Sequence, residues 1–162
     1  MSKLIYIAHR GNTNGPNPKL ENSPEYIDSA ITQGFHVELD VWWVDGQLFL
    51  GHDEPQYKTS IKFLLERSKM VWIHCKNLEA LDVLMNYKSL NLFVHDKDIA
   101  TLTSHNYVWT YPGCKFYPKN SICVMPEWES RDLVFVSNHD TETKKYIGVC
   151  SDYVKSIFAL KN

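Results

Sequence analysis

Short apolar runs recur along this chain, and most of them end in polar or charged residues. In order they read LIYIAHR, HVELDVWW, VWIHCK, LFVHDK, YVWTYP, ICVMPE, LVFVSNHD and GVCSD. Their Val, Ile, Phe, Tyr and Trp content is that of β-strands. Near-continuous apolar stretches suit strands covered on both faces, as in a parallel sheet. Between several runs the apolar period changes to that of a helix. In SPEYIDSAITQG, Ser23 stands where an N-cap belongs and Pro24 at the first helical position. Ile27, Ala30 and Ile31 share one face, and Gly34 ends the segment. TSIKFLLERS and NLEALDVLMNYKS have the same period, and DKDIATLTSH and DTETKKYIG are shorter helix candidates.

Strand–helix alternation predicts an α/β architecture, and the eight runs predict a compact (β/α)8 TIM-type barrel. Length bears on that reading, because such barrels typically take about 250 residues and this chain has 162. YPGCKFYPKNS, with two Pro and a Gly, and EWESRD leave no room for full helices. The expected barrel therefore has helices shortened or missing in its second half. An open α/β sheet with fewer strands is the alternative.

Composition narrows the class. Residues 1–162 make one domain, and the 44% hydrophobic content, with five Trp and nine Tyr, points to a packed core. A net charge of −2 without a basic run argues against nucleic-acid binding. The N-terminus reads as a strand and not a signal peptide. No apolar run approaches the roughly 18 residues of a membrane span, so no stable membrane anchoring is expected. Cys75, Cys114, Cys123 and Cys150 are scattered without a CxxC pair, which argues against a structural zinc site. Cys75, Cys123 and Cys150 lie in β-like runs and read as small buried apolar residues, and the set fits a cytoplasmic location.

The candidate chemistry sits where the runs end. Strand periodicity puts Glu38 and Asp40 on one face of HVELDVWW, with Val37, Leu39 and Val41 on the other. Two carboxylates sharing a small space call for a cation, and a hard dication such as Mg2+ or Ca2+ prefers oxygen ligands. Asp45-Gly46 predicts a tight turn that folds QLFLGHD back and brings His52 and Asp53 to the same end. His74 and Lys76 in VWIHCK again share a face, and the first run ends in His9 and Arg10. Barrel enzymes build their sites at such carboxyl ends. Arg and Lys with a dication stabilise a phosphoryl oxyanion, and two His residues move protons near neutral pH. The set points to metal-assisted phosphodiester chemistry.

AHRG, ENSPE and GFHVELDVWWVDGQLFLGHDE together resemble the N-terminal signature of the glycerophosphodiester phosphodiesterases, within the phosphatidylinositol-phospholipase-C-like superfamily. The family pattern of His-Arg-Gly, Glu-Asn-Thr, Glu-x-Asp-Val, Asp-Gly and His-Asp occurs in order over residues 8–53, with Ser23 in place of Thr. WIHCK resembles the family's Ile-Glu-x-Lys strand, and GVCSDY a shortened form of its closing segment. The resemblance implies that His9 and His52 are the acid–base pair, that Arg10 and Lys76 hold the phosphate, and that Glu38 and Asp40 bind a divalent ion. Glu21 matches a family acid at or beside the metal. His74 stands where the family has a third acidic metal ligand, which bears on the choice among Mg2+, Ca2+ and Mn2+. The implied reaction is hydrolysis of a small glycerophosphodiester-like substrate to a phosphomonoester and an alcohol, a step of lipid metabolism. Wider relatives form a cyclic phosphate, so a lyase is an alternative. A non-catalytic phosphate-binding module is another.

Trp109 in VWTYP and Glu127 in MPEW end their runs and are candidates for the substrate pocket. His95 with Asp96 and His139 with Asp140 are placed similarly, although loop or cap duty is the simpler reading. Trp42 and Trp43 read as barrel packing. YPGCKFYP reads either as a lid or as loop packing. A barrel short of outer helices exposes apolar strand surface that a second subunit could cover, so a homo-oligomer is in view.

Overall fold

A computed structural model describes residues 4–129 and 146–161. The chain opens with β1 (Ile5–His9), α1 (Pro24–Thr32) and the hairpin β2 (His36–Val44) and β3 (Gln47–Leu50), followed by β4 (Tyr57–Thr59). Next come α2 (Ile61–Glu66), β5 (Val71–Cys75), α3 (Leu78–Leu84), β6 (Asn91–Phe93) and β7 (Ala100–Leu102). β8 (Val108–Thr110), β9 (Ser121–Val124), a 3-10 turn (Pro126–Trp128), β10 (Gly148–Ser151) and α4 (Val154–Lys161) complete the described elements.

Ladder hydrogen bonds join seven parallel strands in the order β6-β5-β2-β1-β10-β9-β8. β3 and β4 extend β2 antiparallel, and β7 lies antiparallel on β8. Among the described residues no ladder joins β6 to β8, although the Leu92 carbonyl in β6 accepts from Ser104 N–H just beyond β7. The architecture is α/β with a mixed sheet. A complete (β/α)8 ring is not seen among the described residues, where the parallel set numbers seven and stays open at one seam. β9 pairs directly with β10. The run at 133–140 and the helix candidate at 140–148 fall wholly or mostly outside the described residues.

The local signals act as their chemistry dictates. Ser23, Ser60 and Asn77 cap α1, α2 and α3 by accepting from Tyr26, Phe63 and Ala80 N–H, and Pro24 opens α1. Asp45-Gly46 forms the expected turn, with both residues at positive φ. The expected helix at 96–105 is a correction. Residues 100–102 form β7 instead, and a turn at Asn106, φ 63°, leads into β8. Thr101 and Thr103 are β-branched, and the segment has too few apolar residues to bury a helical face.

Period-two alternation sorts the sheet into two faces. Tyr6, Ala8, Val37, Leu39, Val41, Ile73 and Cys75 point outward and pack with Ile27 and Ala30 of α1, Leu64 of α2, Leu84 of α3 and Ile157 of α4. Ile7, Trp72, Phe93, Trp109, Ile122, Val124 and Cys150 form a second cluster on the inner face. The inner positions then change character toward the carboxyl ends of the strands. Ile7 is followed by His9, Trp72 by His74, Phe93 by His95 and Cys150 by Asp152. An apolar floor therefore carries a polar site above it.

Candidate active site

A cavity of about 370 Å³ opens at those carboxyl ends. His9, Arg10, Glu38, Asp40, His52, His74 and Lys76 line one part of it, and Trp109, Tyr111, Met125 and Trp128 line another. Strand register accounts for much of the first group, because His9 pairs with Glu38 across β1/β2 and Asp40 with His74 across β2/β5.

Glu38 and Asp40 are both buried. Burial and the neighbouring Asp40 charge push the Glu38 carboxyl above its usual range. Burial also opposes ionisation of Asp40, but the adjoining His52 and His74 rings and the Arg10 charge outweigh it and hold Asp40 well below the carboxylate range. Asp40 Oδ2 accepts from Asn22 Nδ2 at 2.9 Å and lies 3.2 Å from His52 Nδ1. Its Oδ1 lies 2.9 Å from His74 Nδ1 and 3.7 Å from Lys76 Nζ, yet accepts no hydrogen bond.

Arg10 adopts the left-handed region, φ 52°, which turns its N–H back onto Glu38 Oε2 at 3.2 Å. Its guanidinium donates to Glu21 Oε2 at 3.1 Å and to His52 Nε2 at 3.0 Å. Donation into Nε2 places the His52 ring proton on Nδ1, facing Asp40. Each terminal nitrogen of Arg10 keeps a further N–H, and its Nε has no hydrogen-bond partner. Gly11, φ 88°, follows because a side chain there would meet Tyr26 Cδ1 at 2.9 Å. Likewise a side chain at Gly51, φ 146°, would collide with the Glu54 carbonyl, so glycine is what lets the loop deliver His52. Trp42 Nε1 ties down the same loop by donating to Gly51 O at 2.7 Å.

His9 Nδ1 pairs with Asp152 Oδ1 at 2.8 Å, and its Nε2 lies 3.9 Å from Glu38 Oε2. Burial alone would lower His9, but the Asp152 hydrogen bond and the Glu38 charge prevail and raise it above the ordinary histidine range. Asp152 is fixed in turn by Asn12 Nδ2, at 2.8 Å, and through its own N–H by Glu127 Oε1, at 2.9 Å.

The sequence-derived residues are thus placed as follows. His9, Arg10, Glu38, Asp40, His52, His74, Lys76 and Trp109 line one cavity. Glu38, Asp40 and His74 bring one ligand atom each within 4.8 Å of one another, a grouping able to hold a metal ion. Glu21 stands outside that trio, bonded to Arg10 and Asn12. Glu127 supports Ser151 and Asp152 from behind and is not among the cavity-lining residues. His95 and Asp96 reach the cavity, where His95 stacks on Tyr111 at 3.8 Å between ring centroids. Trp43 packs on the outer core. His139 and Asp140 lie outside the described residues.

Sequence reasoning did not assign Asn12, Asn22, Asp152, Tyr111, Met125 or Trp128. Asn22 sits inside the quoted ENSPE, and Asp152 inside GVCSDY. A buried-looking run that ends in Asp was the available signal for Asp152. Nothing in the chain announces that Asn22, φ 63°, both donates to Asp40 Oδ2 and accepts from Asp40 N–H.

Among the described residues no helix is long and apolar enough to cross a membrane. No protein-family model matches the chain, and no curated protein matches it. A solved structure does match. It is the crystal structure of a glycerophosphodiester phosphodiesterase from Agrobacterium tumefaciens str. C58, with TM-score 0.53 and 15% identity, over 98% of this chain and 100% of that one. This chain therefore carries, in divergent form, the fold of a glycerophosphodiester phosphodiesterase.

Proposed function

We propose that the protein is a divalent-metal-dependent phosphodiesterase that hydrolyses a small glycerophosphodiester-like molecule to a phosphomonoester and an alcohol. One observation carries the reading. Two imidazoles, each oriented by its own carboxylate, share a single cavity with two permanent cations and a three-residue metal grouping. A site that only bound phosphate would need Arg10 and Lys76 but has no use for two oriented proton carriers.

The donor set fits a dication. Asp40 Oδ1 is buried and accepts no hydrogen bond, and the cavity and its rim hold Glu21, Glu38, Asp40, Asp96 and Asp152 against Arg10, Lys76 and a proton-holding His9. Glu38, Asp40 and His74 would hold the ion, which supplies Lewis-acid polarisation of a phosphoryl oxygen when bound. Arg10 and Lys76 bind and orient the phosphate oxygens. His52 Nε2, whose lone pair takes an Arg10 N–H, is freed as Arg10 turns to the phosphate and accepts the proton of the attacking water. The water oxygen bonds to phosphorus as the ester P–O bond breaks, and the electron pair leaves with the alkoxide. His9, which retains its proton above the usual histidine range, delivers that proton from Nε2 to the alkoxide. Asp152 orients His9, and Asn22 and Asp40 orient the opposing group.

The test is steady-state turnover of a glycerophosphodiester panel and a chromogenic bis-aryl phosphodiester, with Mg2+, Mn2+ or Ca2+ and with chelator. Metal-dependent cleavage, abolished separately by His9→Ala and His52→Ala in folded protein, is the expected result. Phosphate-ester binding without turnover under every ion would leave a binding module.

A further inference from the structure

We propose that the ion of this site is a transition-metal dication, Zn2+ ahead of Mn2+, held through Nδ1 of His74 with the Glu38 and Asp40 carboxylates, in preference to Mg2+ or Ca2+. The inference rests on the reading of the site as a metal centre and goes beyond it, because the choice of ion follows from how this chain fixes one imidazole.

His74 Nε2 lies 3.1 Å from the His95 carbonyl, a pure acceptor, so Nε2 carries the ring proton. The other nitrogen, Nδ1, is then turned toward the carboxylates, 2.9 Å from Asp40 Oδ1 and 4.0 Å from Glu38 Oε1. The ring has little freedom to turn away. It is nine-tenths buried and stacks on Phe93 with the planes 7° apart. A nitrogen lone pair facing a carboxylate lone pair at that distance is repulsive unless something positive lies between them.

A second ring proton would relieve the contact with Asp40 alone, since Glu38 is too distant for the same proton to serve. An ion can meet all three donors, which lie within 4.8 Å of one another. The 2.9 Å separation of Nδ1 and Oδ1 is also what two ligands of one ion show. At metal–ligand distances of about 2.1 Å, neighbouring donor atoms stand roughly 3 Å apart at right angles and roughly 3.4 Å apart in a tetrahedron. Metal-bound histidines commonly donate their other N–H to a backbone carbonyl, which is the arrangement of His74 and His95. Asp40 Oδ1 is buried and accepts no hydrogen bond, with Lys76 Nζ no nearer than 3.7 Å, so its lone pairs are free to ligate.

An all-oxygen set suits Mg2+, Ca2+ and Mn2+, whereas an imidazole nitrogen moves a site toward Zn2+, which stands above Mn2+ in affinity for such donors. The carboxylate that the family resemblance would put at position 74 belongs to the first kind of set. His74 belongs to the second.

The test uses chelator-treated full-length protein, titrated by calorimetry with Zn2+, Mn2+, Mg2+ and Ca2+, beside His74→Glu and His74→Gln. Zn2+ should bind one per chain and at least about tenfold more tightly than Mg2+ or Ca2+, with Mn2+ between them. In His74→Glu the ratio of Zn2+ to Ca2+ affinity should fall by about tenfold or more. In His74→Gln, which can still donate to the His95 carbonyl, transition-metal affinity should fall by a similar factor. Nitrogen NMR of the wild-type histidines should show Zn2+ moving the His74 Nδ1 resonance while Nε2 keeps its proton. This last readout needs no variant, so a misfolded substitution leaves the proposal testable. Equal or tighter binding of Ca2+ or Mg2+, an affinity ratio unchanged in His74→Glu, an unmoved Nδ1 resonance, or no binding at all would each overturn it. Binding of the expected kind without phosphodiester turnover would remove the enzyme reading and leave the ion assignment standing. Turnover with Mg2+ or Ca2+ as the tighter ligand would do the reverse.

Discussion

From β1 to α3 each parallel strand leads to a helix, directly or through the β3–β4 hairpin, and those helices cover the outer core. From β6 to β9 the described chain is different, with short strands, loops and nothing more helical than the turn at Pro126–Trp128. The first stretch supplies His9, Arg10, Glu38, Asp40, His52, His74 and Lys76, whereas the second supplies mainly Trp109, Tyr111, Met125 and Trp128, with His95 and Asp96 at its start, to the same cavity. Ionised groups buried together must be held rigidly, and a strand backed by a capped helix does that. An aromatic wall needs only to be in the right place and can be carried on loops. β10 returns to lie beside β1 and brings in Asp152, which among the described residues is the carboxylate from outside the first stretch that pairs with His9.

Substitutions can test that division, beginning with the most damaging. His9→Ala and Asp40→Asn should each lower kcat by about a thousandfold, read as steady-state turnover with the fold checked by circular dichroism. A comparable loss from Tyr111→Phe would dissolve the contrast between the two stretches.

Stability should divide in the same way. Leu84→Ala removes a fully buried α3 side chain from the outer core and should cost about 2–5 kcal/mol in denaturant unfolding. Leu102→Ala, at a β7 side chain 65% exposed, should change stability by less than about 0.5 kcal/mol.

Asp152→Asn tests the one exception. His9 is raised by Asp152, so losing that carboxylate lowers the His9 pKa. As the proton donor, His9 works below its pKa, and activity falls as pH rises through it. The alkaline limb of the kcat/KM profile should therefore move to lower pH, with a loss of about ten- to a hundredfold at neutral pH. Trp128→Ala should have the smallest effect, raising KM a few-fold with kcat nearly unchanged, because its ring borders the cavity and is largely exposed.

Legibility in the sequence followed the same boundary. Helix caps at Ser23 and the Asp45-Gly46 turn are decided by neighbours in the chain, and they were read correctly. Glu38 and Asp40 were readable because two carboxylates at period two within Val and Leu admit few explanations. The 96–105 segment was misread because a sparse apolar pattern cannot separate a short strand from a short helix, and pairing with β8 decides it. The hydrogen bonds of Asn22 to Asp40 and of Asp152 to His9 span 18 and 143 positions, so no local pattern could carry them. The seam beside β6 was equally hidden, since eight runs say how many strands are available and not which of them pair.

The central claim is metal-dependent hydrolysis, and phosphorus NMR of a glycerophosphodiester incubated with the protein in oxygen-18 water tests it most directly. The account predicts a phosphomonoester carrying one solvent oxygen, formed only with a divalent ion and absent with His9→Ala. An unchanged diester signal under every ion, or a cyclic phosphate appearing first and without solvent oxygen, would contradict it.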